Sequence, residues 1–253
     1  MKYLLYFALF GAAVFTACGD DSSNPVINEG TSSSFVSDRS SSSAVSSVPD
    51  GSFVDSRDGQ VYKMVTIGNQ VWMAQNLNFE SPDSYCYEDK KDNCTKYGRL
   101  YKWSAAMDSA GLYSENGKGC GHEVWDCTPT YPVLGVCPSG WHLPSKEEFE
   151  TLLETVGGKS IAGKKLKSTT GWKTIVHDPN GTDDFGFSAV PSGSRGSDGS
   201  YGQLGSYGDL WTATEDFFSS AYGLFLFSEE NKAEVAGFDT RLAFPVRCVK
   251  NEL

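Results

Sequence analysis

The sequence predicts an α+β fold, and three observations carry that prediction. Two runs rich in β-branched and aromatic residues flank Gly68-Asn69, a helix with a full start signal opens at Ser145, and short strand-like runs crowd the last third of the chain. Strands grouped before and after a central helical segment indicate a segregated architecture, since an alternating α/β sheet would place a helix between successive strands. Seven cysteines in 253 residues add a constraint: an even subset can pair in an oxidising compartment, and the odd one needs another role.

The N-terminus supplies that role. Met1 and Lys2 give a positive start, Tyr3 to Phe15 is an almost unbroken apolar run, and small residues precede Cys18. The run falls short of the roughly 20 apolar residues of a spanning helix, so residues 1–17 read as a signal peptide. Small residues before a cysteine resemble a bacterial lipobox, which would make Cys18 the lipidated first residue of the mature chain. Each acyl chain contributes about 0.8 kcal/mol per buried methylene, so two or three chains would hold it permanently in membrane lipid. The alternative is an ordinary signal peptide that leaves Cys18 as a free thiol. Residues 18–50 form a Ser-rich tether with too few large apolar residues to repay ordering. Its start, Cys18-Gly19-Asp20-Asp21, resembles the acidic patch of surface-displayed lipoproteins. The alternative is that these acids only solvate the tether, so the expected location is the bacterial envelope, lipid-anchored at the outer membrane and facing either the surface or the periplasm.

Residues 51–253 are the expected domain. Gln60 to Ile67 and Gln70 to Asn76 read as a β-hairpin, because Gly68-Asn69 suits a two-residue turn with positive φ. Tyr97 to Met107 carries apolar residues at helical spacing and predicts a short helix. Ser109 to Val136 has no period and reads as a loop held by cysteines. Ser145 with Glu148 fits a capping box, Phe149, Leu152, Leu153 and Val156 supply an apolar helix face, and Gly157-Gly158 stops it. A second helix is expected over Ile161 to Lys167. Strands are then expected at Phe187–Val190, Leu210–Ala213, Tyr222–Phe227, Val235–Phe238 and Phe244–Val249, separated by Gly- and Ser-rich turns.

Composition and motifs narrow the function. A net charge of −11 gives no footprint for phosphate backbones, so nucleic acid is not an expected partner. No Gly-x-Ser-x-Gly elbow or His-Glu-x-x-His occurs, and Asp184-Phe185-Gly186 lacks every companion motif of a kinase, so it reads as a turn. His142 lies within Trp141-His142-Leu143-Pro144 and reads as a satisfied core residue rather than a base. No catalytic residue is expected, and the chain is read as a non-enzyme.

Six strings occur in order along the domain: Asp58-Gly59-Gln60-Val61-Tyr62, Gln70 to Asn78 (QVWMAQNLN), Tyr97 to Trp103 (YGRLYKW), Val136 to Pro144 (VCPSGWHLP), Asp184 to Ala189 (DFGFSA) and Pro245 to Val249 (PVRCV). Together they resemble the Fibrobacter succinogenes major paralogous domain, a family of secreted and lipid-anchored bacterial proteins. Gly140 to Pro144 before an acidic helix, with Arg247-Cys248-Val249 at the end, is also similar to the C-type-lectin-like fold shared with formylglycine-generating-enzyme domains. The resemblance implies two main helices, a twisted antiparallel sheet and long irregular loops stapled by disulfides. Six cysteines allow 15 pairings. Cys86 with Cys94, Cys120 with Cys127, and Cys137 with Cys248 are expected, the last because it ties the helix entry to the final strand as in lectin-like folds. The rival is zinc at Cys120, His122 and Cys127, disfavoured by an exported compartment and by the lack of a C-x-x-C pair.

Two groups of residues could hold a ligand. Asp178, Asn180, Asp183 and Asp184 place four oxygen-bearing side chains in seven residues, which suits Ca²⁺, the one cofactor considered. The spacing departs from an EF-hand loop, and the alternative is an Asx and Gly turn. Pro191 to Trp211 mixes Gly and Ser with Arg195, Asp198, Tyr201, Tyr207 and Asp209, a composition used by adaptable recognition loops. The alternative is scaffold packing. The Glu-Pro-Asn, Gln-Pro-Asp and Trp-Asn-Asp motifs of calcium-dependent lectins do not occur. The expected function is display of a non-catalytic lectin-like binding domain for extracellular polysaccharide. The alternative is a structural or protein-interaction module that contacts another envelope protein and has no small-ligand site.

Overall fold

The computed structural model of the chain describes residues 49–124, 127–173 and 180–251. The expected signal peptide, Cys18 and the expected tether through Val48 lie outside the described residues, as do His177 and Asp178.

The expected hairpin is present. β1 (Ser52–Val54) pairs with β2 (Val61–Ile67), which returns through Gly68-Asn69 into β3 (Gln70–Met73) with Ile67 opposite Gln70. Gly68, at φ 63°, supplies the left-handed backbone of the tight turn. β3 stops short of Asn76 because the chain turns there: the Gln75 side-chain carbonyl accepts the Lys63 N–H, and the Asn76 amide group reaches inward to donate to the Tyr97 carbonyl.

The stretch predicted as one helix, Tyr97 to Met107, departs from expectation. After β4 (Ser84–Tyr85) and a 3-10 turn at Tyr87–Asp89, α1 (Lys91–Tyr97) starts inside the Cys86–Cys94 bracket and carries Cys94 in its middle. The chain then extends as β5 (Leu100–Lys102), and only α2 (Trp103–Ala106) is helical. Gly98 sets the break. Its φ is 77°, and a Cβ there would lie 2.5 Å from the Asn76 Cβ, so this point must be glycine packed against the end of the hairpin.

The described residues from Ser109 to Val136 have no regular element, as expected. β6 (Trp141–His142) leads into α3 (Lys146–Thr155), whose capping box is complete: Ser145 Oγ accepts the Glu148 N–H and the Glu148 carboxylate accepts the Ser145 N–H. Phe149, Leu152, Leu153 and Val156 are all buried, and α4 (Lys159–Leu166) follows. Phe187–Val190 contributes a single bridge, Ala189 to Lys167, instead of a strand. β7 (Ser194–Arg195) and β8 (Tyr201–Gly202) form a small hairpin inside the predicted loop. β9 (Leu210–Phe217), β10 (Ser220–Leu226) and β11 (Ala233–Asp239) make an antiparallel meander. The last predicted strand is two, β12 (Ala243–Phe244) and β13 (Val249–Lys250), because Pro245 has no N–H to continue a ladder.

Three antiparallel sheets result, ordered β1-β2-β3-β13-β6, β11-β10-β9 and β4-β5-β12-β7-β8. The chain is thus α+β, with sheet predominating. Its final segment belongs to two sheets, and Pro245 to Cys248 crosses between them, accepting N–H groups from Trp211, Leu77 and Met73 on the carbonyls of Pro245, Val246 and Cys248. The three expected disulfides are present, and Cys137–Cys248 closes the longest loop, with a sequence separation of 111. In the chain-entropy model a loop of that size stabilises by about 5 kcal/mol. Cys120 and Cys127 are bonded to each other, which removes the zinc alternative.

Arg247 lies in the middle of this crossing and is fully buried. Its Nε and Nη2 donate to Asn76 Oδ1 at 3.1 and 2.8 Å, Nη1 donates to the Phe187 carbonyl, and Nη2 also reaches the Ser188 carbonyl at 3.4 Å. The guanidinium carbon sits 4.4 Å from the Phe187 ring centre. Burial lowers its pKa to about 9, opposed by the Asp183 carboxylate, so the group is a cation at neutral pH. Arg247→Met would orphan Asn76 Oδ1 and two carbonyls. With each unsatisfied buried acceptor costing ~1–3 kcal/mol, urea unfolding with disulfides intact should show a loss of ~3 kcal/mol or more. Arg247→Lys, which cannot fork, should recover only part of it.

Candidate functional site

The β9–β11 meander has two faces, and strand alternation assigns them. Leu210, Leu224, Leu226 and Ala233 are buried in a cluster with Phe149, Leu152, Leu153, Ala162 and Leu166 of the helices. Gly208 belongs to that face too: a Cβ on it would stand 2.8 Å from the Trp172 ring. The alternate positions, Tyr207, Asp209 and Trp211, point the other way. There a chain of rings runs from Tyr207 to Phe225 (centroids 5.6 Å apart), Phe225 to Phe238 (6.4 Å), Phe238 to Phe244 (5.0 Å) and Phe244 to Trp211 (4.6 Å). Gly223 makes room for it, since a Cβ at that position would press on the Phe238 ring at 3.2 Å.

Between these rings and the β7–β8 hairpin lies a pocket of about 360 Å³. Tyr207, Phe225, Phe238, Leu242 and Phe244 form its apolar lining, Ser194, Ser200 and Gln203 its polar rim, and Asp209 its buried acid. Asp209 is only 3% exposed. Among the described residues one N–H reaches it, from Leu226 at 3.4 Å, and no cation pairs with it. Burial therefore pushes its pKa up to about 7, the Leu226 N–H opposing.

The five loop residues singled out from sequence divide into two groups. Tyr207 and Asp209 meet in the pocket. Arg195 and Tyr201, opposite each other across the hairpin, lie on its other face: the Arg195 guanidinium stacks 4.0 Å from the Tyr85 ring centre, and the Tyr201 hydroxyl donates to Asp89 at 2.6 Å. Asp198, at the hairpin tip, accepts the N–H and hydroxyl of Ser200. Sequence reasoning missed Phe225, Phe238 and Phe244. Their signal was alternation with small residues in Ala221-Tyr222-Gly223-Leu224-Phe225, which resembles ordinary core.

Two of the four oxygen-bearing residues singled out from sequence are engaged by the fold, Asn180 and Asp183. Both Asp183 carboxylate oxygens accept from Ser188, one from its N–H at 2.7 Å and the other from its hydroxyl, and Asn180 Oδ1 accepts the Trp172 N–H at 3.3 Å. Asp184-Phe185-Gly186 is a turn closed by the Gly186 N–H on the Asp183 carbonyl. Among the described residues no three His, Cys, Asp or Glu side chains gather where a metal would sit, and Asp178 lies outside them. His142 is buried between Asn251 Oδ1 and Glu148 Oε1, each 2.7 Å from a ring nitrogen, as a core residue would be. A second cleft, about 500 Å³, opens over Arg247 and Asn76.

The Asp209 shift implies a pH dependence. The unfolded carboxyl ionises near 3.8, whereas the folded one holds its proton to about 7, so stability falls as pH rises between those values. A shift of that size corresponds to a loss on the order of 4 kcal/mol above pH 7. Asp209→Asn should be indistinguishable from the parent below pH 4 and more stable than it at pH 8 in urea titrations.

Comparison with curated proteins and with solved structures finds no match. A family model matches residues 65–250, the span that contains the crossing segment, all three disulfides and the ring-lined pocket, and the chain belongs to the Fibrobacter succinogenes major domain family.

Proposed function

We propose that this chain is a lipid-anchored envelope protein whose lectin-like, non-catalytic domain binds extracellular polysaccharide in the ring-lined pocket. One observation carries the reading: the pocket pairs aromatic faces with a buried carboxyl that has acceptor capacity to spare. A pyranose has an apolar C–H face and a hydroxyl edge. Tyr207, Phe225, Phe238 and Phe244 complement the first, while Asp209 and the Ser194, Ser200 and Gln203 rim complement the second. No helix among the described residues is long and apolar enough to cross a membrane, and in this reading attachment comes from acylated Cys18.

Pull-down on insoluble polysaccharides tests the binding. Tyr207→Ala should cut retention about tenfold through lost ring contact, and Tyr201→Ala, whose ring serves the far side of the hairpin, should leave it unchanged. Equal retention of both variants and the parent would dismiss the pocket. For the anchor, metabolic labelling with palmitate should mark the full chain and fail to mark Cys18→Ser, which should leave the membrane fraction.

A further inference from the structure

The same pocket points to a narrower ligand class than sugars in general. Asp209 is the only acid among its lining residues and Tyr207 the only other titratable one. The charges of the β7–β8 hairpin and of the β11 end are engaged elsewhere: Arg195 against Tyr85, Asp198 with Ser200, and the Asp239 carboxylate with Arg241 at 2.5 Å. Asp209 is thus nearly fully buried, holds one long N–H contact and faces a cavity walled by four rings. Neutral hydroxyls would hydrogen-bond the carboxylate but leave its charge uncompensated at a buried position. An ammonium group would neutralise it and would also be attracted to the faces of the surrounding rings.

We propose that the pocket recognises a sugar unit carrying a free primary amine, with the protonated amine on the Asp209 carboxylate and the ring's C–H face on Tyr207 and its aromatic neighbours. The proposal rests on the glycan reading of this pocket. A sugar fits better than a lysine side chain, because a thin alkyl stem would leave the Ser194, Ser200 and Gln203 rim without partners in a cavity of about 360 Å³. Binding places the charge of the ligand where burial otherwise disfavours the charge of Asp209, so the complex takes the carboxyl as carboxylate.

The test is calorimetric titration of the folded domain, disulfides intact, with glucosamine, N-acetylglucosamine, glucose and N-acetyl-lysine methylamide at pH 7.5. Glucosamine binding at least tenfold more tightly than the other three, with the preference erased in Asp209→Asn, is the expected result. Because the parent protein needs no substitution to report, a second readout is its pH profile: glucosamine affinity should fall as pH drops from 7.5 to 5.5, while any affinity for glucose should not. Equal binding of glucose and glucosamine would overturn the amine assignment and leave the glycan reading standing. Equal binding of the lysine derivative would overturn the sugar assignment. No binding of any probe, together with loss of polysaccharide retention in the pull-down, would overturn both.

Discussion

The structure depends on where one positive charge can be held without water. Arg247 has no carboxylate in hydrogen-bond contact, so its guanidinium is compensated by dipoles: the Asn76 amide, the Phe187 and Ser188 carbonyls and the Phe187 ring. Those partners come from the exit of the first hairpin and the segment after the helices, and Arg247 brings them to the crossing that joins two sheets. A buried cation held by oriented acceptors from two other segments tolerates little displacement of either, which makes it a register device more than a source of net stability. The buried Lys167 ammonium works similarly on a smaller scale, donating to the carbonyls of Phe227, Ser228 and Glu230 where β10 ends.

The pocket follows from the same economy of layers. The helices cover one face of the β9–β11 meander, and because side chains alternate, whatever stands at Tyr207, Asp209 and Trp211 must face the other way. That face is closed by the β7–β8 hairpin and the β12 end of the crossing segment. A rigid, ring-filled scaffold therefore holds the acid, although the residue itself comes from a Gly- and Ser-rich stretch of sequence. The cost of an unpaired buried carboxyl is borne by the packing on the opposite face, an arrangement expected of a site kept for something other than stability.

Legibility in the sequence tracked the range of the interaction. The Ser145–Glu148 cap, the Gly68-Asn69 turn and the two short disulfide loops are decided within ten residues, and each is where local rules put it. Tyr97 to Met107 went wrong because the decisive contact is between Gly98 and Asn76, which spacing within the segment does not reveal. Phe244–Val249 read as one strand because its apolar pattern is continuous, while the sheet change is enforced by Pro245 and by partners as distant as Leu77. Asp209 and Tyr207 were visible as residue types in a suggestive loop. Their separation from Arg195 and Tyr201 was not, since it is set by the pairing of Ser194 with Gly202 and of Arg195 with Tyr201 across the hairpin. The string of oxygens near Asn180 did not show that Ser188 claims those of Asp183.

The sheet order carries a consequence for how the domain is made. β13, at Val249–Lys250, lies between β3 and β6, with Val249 opposite both Trp72 and His142. The last strand among the described residues is thus an interior member of a sheet whose other strands lie more than a hundred residues earlier in the sequence. Until it arrives, β3 and β6 have no common neighbour and the guanidinium that organises the hairpin exit is missing. A topology of such long-range closure folds slowly and only once β13 is available. In the anchored reading, which has the polypeptide cross a membrane unfolded, delayed closure would keep it threadable on one side and complete it on the other.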